Sequence, residues 1–337
     1  METIKNKLRR AKKGIRKNYC NNVFERLAYI KPTSFVINNY NRKKPLSAFN
    51  PGAILRNDKL EIYPRFIFEY YWYVSSIGRF QININQLQHL NKEKIDAEIL
   101  LFPKEVWEIR GVEDPRVLFS GKYYILYTAV QLVNDRINPL QAIAILDENY
   151  KTIRKTYLKI RQKNSYITPH SWKDSAILRF LDKHNCILLT RPSFETIEIC
   201  WTCLADLENG EVEISSFLPV LCKEDFELKV GWSTNTLKIS SNEYLIGWHG
   251  LGLDMVYRNG LALLDENGTL KAITNYLLEP NGINEIYGDR PFVIFGCGLV
   301  QRNNEIFWIG GISDYAIGIF RTELDEVFEN MVWVNKH

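Results

Sequence analysis

Arg110-Gly111-Val112-Glu113-Asp114-Pro115-Arg116 sets a carboxylate between two arginines in a corner framed by glycine and proline. A carboxyl group at such a corner can hand a proton to a reacting group, provided it stands clear of the strand that follows. Pro115 fixes its own φ and biases Asp114 toward an extended conformation, and Gly111 permits a sharp approach. The strand after the corner, Val117 to Phe119, is short and apolar. A turn at Ser120-Gly121 then leads into a second strand ending at Thr128. The spacing presents Asp114 at a strand end. Taken alone, it is equally compatible with a structural turn in which Asp114 pairs with Arg116.

The elements that must position this carboxylate recur. From residue 45 onward the chain is weakly self-similar at about 60 residues, each unit a corner, a short apolar strand, a polar turn and an alternating strand. The units begin at Asn50-Pro51, Asp114-Pro115, Lys173-Asp174, Ser233 to Asn235 and Pro291. Their second strands run over Leu60 to Arg65, Tyr123 to Thr128, Cys186 to Arg191, Tyr244 to His249 and Ile306 to Gly311. Five such hairpins, each followed by further strand-like sequence, predict an all-β, five-bladed β-propeller over 45–337. The alternative is a β-sandwich or several small β-domains. In an antiparallel hairpin the start of one strand and the end of the next share an end. With the leading strands around a channel, Asn50, Asp114, Lys173-Asp174 and the Ser233 region meet Arg65, Thr128, Arg191 and His249 at one mouth.

Composition bounds the rest. The chain has 337 residues, 46% of them hydrophobic and 24% charged, with a formal net charge of +4. That balance argues against nucleic acid as the main partner. Tyr, Phe and Trp are abundant, which suits strands and sugar-binding surfaces alike. No apolar run of about 18 residues is present, so no membrane span is expected. The basic N-terminus lacks an apolar signal region, so the expected location is the cytoplasm, with six reduced cysteines. Cys200 and Cys203 lie in an apolar run and read as core. His89, His170 and His184 have no ligand spacing, so no metal site is expected. Residues 1–44 read as a basic, helical arm carrying Lys5, Lys7, Arg9, Arg10, Lys12, Lys13, Arg16 and Lys17 near its start. Three roles stay open for it: a solvated leader, a helix laid on the main domain or on a second copy in a homo-oligomer, and contact with an anionic membrane surface or nucleic acid.

Arg110 to Arg116, with Lys122 to Thr128 after it, resembles the G-V-E-D-P-R segment of family 130 glycoside phosphorylases and hydrolases, five-bladed propellers acting on β-mannosides. Phe49-Asn50-Pro51, Arg65 and Ser76-Ile77-Gly78 resemble that family's first blade. Lys173-Asp174 and Arg191-Pro192 resemble the third. Lys229, His249-Gly250, Tyr257-Arg258 and Gly260 to Asp265 resemble the fourth, and Cys297-Gly298 and Asp314 the fifth. The resemblance implies Asp114 as general acid, acting by way of a sugar hydroxyl, and Lys173, Arg191, Lys229 and His249 as the phosphate site. It implies Asn50, Arg65 and Asp314 around the donor sugar, with Arg116, Asp174, Tyr257 and Arg258 among the substrate-binding residues. Asp174 could instead orient Lys173. No cofactor is implied beyond inorganic phosphate as co-substrate. The chain departs from the family at Gly231-Trp232-Ser233-Thr234-Asn235, after Asp174, at Pro291-Phe292 and at Tyr315. A related group of β-1,2-mannosyltransferases and mannan phosphorylases shares the fold.

An inverting hydrolase needs an acid and a second carboxylate to activate water. Phosphate is already a nucleophile, and an enzyme using it needs cations to position a dianion. One prominent aspartate beside several Lys, Arg and His therefore favours phosphorolysis: a β-mannosyl oligosaccharide and phosphate exchange with α-mannose 1-phosphate and a shortened acceptor. The alternatives are mannosyl transfer from mannose 1-phosphate or GDP-mannose, and hydrolysis with Glu195, Glu198 or Asp254 as base. A non-catalytic sugar-binding propeller is a further alternative. For Asp114 to act as an acid, burial must raise its pKa and Arg110 or Arg116 must point away. Trp232 and Trp248 could stack on sugar or pack within blades.

Overall fold

The computed structural model describes residues 4–92, 94–195 and 197–334, without the side chains of Lys5, Gln88, His89, Asn91 and Lys92. The chain is all-β, with strands in five sheets and helices of a few residues. In chain order the leading hairpins of the sheets are Ser47–Arg56 with Lys59–Ile67 and Val112–Phe119 with Tyr123–Val133. Then come Trp172–Phe180 with Asn185–Phe194, Glu227–Lys238 with Glu243–Gly252, and Ile294–Arg302 with Glu305–Ile312. Each leading strand packs against those of the sheets before and after it, and the fifth packs on the first. The sheets thus have a propeller-like arrangement. Five hydrophobic clusters fill the spaces between neighbouring sheets. Strands buried on both faces need apolar residues at successive positions, as in Ala262-Leu263-Leu264.

Close approach of the leading strands depends on missing side chains. A Cβ on Gly52 would lie 2.3 Å from the Pro115 carbonyl oxygen, and one on Gly298 would lie 2.7 Å from Ala53 Cβ. Every leading strand also shifts register near the shared mouth: at Phe49/Gly52, Glu113/Arg116, Lys173/Ala176, Trp232/Thr236 and Gly296/Gly298. In the first three the bulge holds a left-handed residue, Asn50 (φ 44°), Asp114 (φ 51°) and Asp174 (φ 59°). The expected extended conformation of Asp114 is therefore overturned. The extra residue of a β-bulge must turn out of the ladder, and Asn and Asp tolerate that turn best among residues with side chains.

The arm is docked on the sheets. Residues 25–30 form an outer strand of the fifth sheet, and 35–37 pair with the last strand of the first, so two strands precede position 45. Lys7 is buried and its Nζ donates to the carbonyls of Ser215 and Phe217 at 2.7 and 2.9 Å. Arg16 is buried as well. Its guanidinium donates to Glu227 at 2.5 Å and lies 4.6 Å above the Trp248 ring. Glu224 accepts the backbone N–H groups of Gly14, Ile15 and Arg16.

Trp232 and Trp248 are wholly buried, so they pack between sheets and do not reach a ligand. Cys200 and Cys203 belong to the cores on opposite faces of the third sheet. Among the described residues no helix is long and apolar enough to cross a membrane.

Candidate active site

At the mouth where the bulges gather, one cavity is lined by residues from all five sheets. Asn50, Asp114 and Lys173-Asp174 come from the bulges, and Arg65, Arg191 and His249 from the second strands. Lys229 starts the fourth leading strand, Tyr257 the strand after its hairpin, and Asp314 sits in a turn of the fifth sheet. Glu113, Arg290, Val293 and Phe295 complete the wall.

Asp114 stands with its carboxylate between two donors. Asn50 Nδ2 donates to its Oδ1 at 3.0 Å, and a guanidinium nitrogen of Arg65 lies 3.5 Å away. Arg65 is itself held by Glu113 at 2.6 Å, and Ser75 bridges the two with 3.0 Å bonds to each. The flanking arginines leave the Asp114 carboxylate alone. Arg110 lies 5.0 Å over the Trp72 ring. Arg116 donates to the backbone carbonyl of Asp114 at 3.0 Å, to Ser233 O at 2.7 Å and to Asp174 Oδ1 at 3.1 Å. Arg116 forms no simple turn pair with the Asp114 carboxylate and does not line the cavity. Arg116 is a buried strut behind the wall.

The opposite wall is cationic, with one group fewer than expected. Asp174 accepts Arg191 at 2.7 Å and Arg116, and these guanidiniums hold its carboxyl far below the usual range despite burial. Arg191 is also bound by Glu198 at 2.5 Å, so its positive charge is matched on both sides. Burial pushes His249 down to about 3, and Arg191, Arg116 and Lys173 add to the push against the pull of Asp174. His249 is thus neutral, with Nδ1 2.9 Å from Ser233 Oγ, and does not count as a cation. Lys173 and Lys229 carry no hydrogen bond or ion pair among the described residues. Burial, the Arg191 charge and Lys229 lower the Lys173 pKa, although Asp174 and Asp114 oppose them. Lys173 is half-buried and Lys229 exposed at the mouth, and two such side chains without a carboxylate partner give the mouth a positive field that attracts an anion.

Across the cavity, burial raises the Asp314 carboxyl from 3.8 to about 6 against the pull of Arg65 and Arg290. Burial likewise raises Glu113, with Arg65 opposing and Asp114 adding. The remaining expected residues divide cleanly. Tyr257 lines the wall, 5.9 Å from the His249 ring. Arg258 does not; it pairs with Asp254 at 2.8 Å and Glu279 at 2.7 Å. In an unbulged strand successive side chains face opposite ways, so Tyr257 and Arg258 cannot both enter. Thr128 is buried off the wall, and neither Glu195, Glu198 nor Asp254 lines it. The bulges bring in Glu113 beside Asp114, which period-two reading hides. Arg290 lies in a connection where its number alone carries no signal.

A fold of this kind, with an acid facing unpaired lysines across a sugar-sized mouth, defines a carbohydrate-active site. The family model described as beta-1,4-mannooligosaccharide phosphorylase matches residues 14–333, and the chain belongs to that family, glycoside hydrolase family 130. A beta-1,2-mannobiose phosphorylase of Thermoanaerobacter sp. (strain X514) is 28% identical over 298 residues, 83% of this chain and 91% of its own. A 1,2-beta-oligomannan phosphorylase of the same strain is 23% identical over 244 residues, 71% of this chain and 76% of its own. The fold is similar to that of the beta-1,2-mannobiose phosphorylase of Listeria innocua solved with beta-1,2-mannobiose. There the TM-score is 0.69 at 18% identity, covering 94% of this chain and 98% of that one.

Proposed function

We propose that this protein is an inverting β-mannoside phosphorylase. Phosphate oxygen attacks the anomeric carbon of a terminal β-mannosyl unit, the bond from that carbon to the bridging oxygen breaks, and Asp114 supplies the proton that the departing oxygen takes. The products are α-mannose 1-phosphate and a shortened acceptor. Lys173 and Lys229 hold the dianion, with Arg191 as a fixed third wall and His249 as a neutral donor. Asn50, Arg65, Tyr257 and Asp314 surround the donor sugar. In this reading the five sheets are the five blades of one propeller, phosphate is the co-substrate and no cofactor takes part. The six free cysteines support a cytoplasmic setting.

The observation that carries the proposal is the pair of unpartnered lysines facing Asp114. Water needs no such pair, whereas a dianion does. A hydrolase would need a base, and the cavity carboxylates Glu113 and Asp174 are tied to arginines at 2.6 and 2.7 Å. Asp314 accepts no hydrogen bond at its carboxylate among the described residues and is the base a hydrolase would use. Donor choice separates phosphorylase from transferase. With a β-mannobiose acceptor, α-mannose 1-phosphate should extend the chain and release phosphate, while GDP-mannose should not. Rapid extension from GDP-mannose would assign the site to a nucleotide-sugar transferase instead.

A further inference from the structure

The rim of the mouth carries an unusual run, Glu69-Tyr70-Tyr71-Trp72-Tyr73, in the turn between the strands Lys59–Ile67 and Ser75–Asn83. Tyr71 is 87% exposed and Trp72 55% exposed. Large aromatic rings left in water at a cavity rim point to a ligand or a partner. The rings are held in place. The Glu69 carboxylate accepts the backbone N–H of Trp72 at 2.8 Å and of Val74 at 3.3 Å. Tyr73 takes a left-handed φ of 56°, and its ring lies 5.6 Å from the Arg65 guanidinium that faces Asp114. Tyr70 stacks on Tyr73 with centroids 6.1 Å apart and donates to Asp289 Oδ2 at 2.9 Å. Asp289 immediately precedes Arg290 on the cavity wall. Arg110, the first residue of the acidic corner, braces Trp72 from below.

The geometry points to Tyr71 and Trp72 as a stacking shelf for the acceptor part of a mannosyl chain longer than two sugars. The inference rests on the phosphorylase reading and adds the substrate's length. In that reaction the terminal sugar occupies the cavity floor between Asp114 and the lysines, so the rest of the chain must leave across the rim. The loop bearing the rings is continuous with that wall through Arg65 and Asp289. Sugar rings present C–H faces that pack on aromatic faces, while their hydroxyls stay in water. Tyr71 and Trp72 meet edge to face, centroids 5.4 Å apart at 82°, so the shelf is an angled corner in which each exposed ring offers its own face to a sugar. Bracing by Glu69 and Arg110 means that binding need not first order the loop.

The test compares β-mannotetraose with β-mannobiose in phosphorolysis by wild type, Tyr71→Ala, Trp72→Ala and the control Trp333→Ala. Trp333 is an exposed ring on the outer strand of the fourth sheet. The ratio of KM for the tetraose to KM for the biose should rise about tenfold in the two rim variants, the loss expected from one ring-on-sugar contact, and stay unchanged in the control. An unchanged ratio with phosphorolysis intact overturns the shelf and leaves the phosphorylase reading standing. If wild type shows no phosphorolysis, calorimetry with the tetraose decides. Binding by wild type that is lost in the rim variants supports the shelf; no binding, or equal binding, overturns it. Sedimentation of the same variants covers the rival occupant. Conversion of an oligomer to monomers with the KM ratio unchanged assigns the rings to contact between copies and overturns the shelf.

Discussion

Asp114 works from a strained backbone position, and that determines how it should be tested. Its left-handed φ of 51° suits Asn as well as Asp, and Asn50 and Arg65 can still reach the amide oxygen of a replacement. Asp114→Asn should therefore fold normally and bind mannosides, yet lose phosphorolysis by about 10²–10⁴-fold, the usual span for a removed proton donor. Circular dichroism and initial rates measured together check both halves. Asp314 carries a second expectation. Its folded pKa of about 6 lies above the ordinary 3.8, so it is protonated in the folded protein at pH values where the unfolded chain has released the proton. Between those two values its ionisation makes the folded state less stable as pH rises. An ionised Asp314 accepts stronger, charge-assisted hydrogen bonds from sugar hydroxyls than a protonated one, so kcat/KM for the sugar should fall as pH drops through about 6. Asp314→Asn should remove that acid limb; a profile of unchanged shape in the variant would count against this role.

At the scale of elements, the β-bulge builds the site. A regular strand alternates its side chains, so Tyr257 enters the cavity and Arg258 leaves it. A bulge admits two neighbours, so Glu113 and Asp114, or Lys173 and Asp174, share one wall. The corner-plus-hairpin recurrence was readable because turn residues and apolar runs mark it directly, and Asn50, Asp114, Lys173, Asp174, Arg65, Arg191 and His249 follow from it, whereas Lys229 and Asp314 were implied only by the family resemblance. Glu113 was hidden because alternation is the default reading, and Arg290 because a connection has no period. The neutrality of His249 depends on burial among three cations, which spacing does not encode. Gly231 is where this tightness is most exposed to test. A Cβ there would lie 2.6 Å from His249 Cε1, 2.8 Å from Asp174 Oδ2 and 2.9 Å from Arg191 Nε. All three are pinned by hydrogen bonds, so Gly231→Ala should cost about 1–3 kcal/mol of stability and raise KM for phosphate more than KM for sugar. Chemical denaturation and phosphate titration would show it.

Over the whole molecule, the terminal segments hold the ring of sheets together. The strand Glu25–Ile30 completes the fifth sheet, Met331–Trp333 extends the fourth, and the basic arm lies against the third and fourth. The charges that made the arm read as a solvated leader or a membrane contact include Lys7, which is buried on backbone carbonyls, and Arg16, which is buried and paired with Glu224 and Glu227. Removing one partner of such a pair leaves the other charge stranded. Arg16→Ala should destabilise the fold by about 3–5 kcal/mol through Glu224 and Glu227 while leaving KM for phosphate unchanged, measured by denaturation and initial rates.

What the ring assembles is one acid facing two unpaired lysines, and the claim built on that juxtaposition is that phosphate, not water, breaks the mannosidic bond. Phosphorus NMR of the purified protein with β-1,2- and β-1,4-mannobiose, with and without inorganic phosphate, tests it most directly. Growth of an α-mannose 1-phosphate signal that requires phosphate and vanishes in Lys173→Met is the expected result. Mannose released at the same rate without phosphate would contradict it.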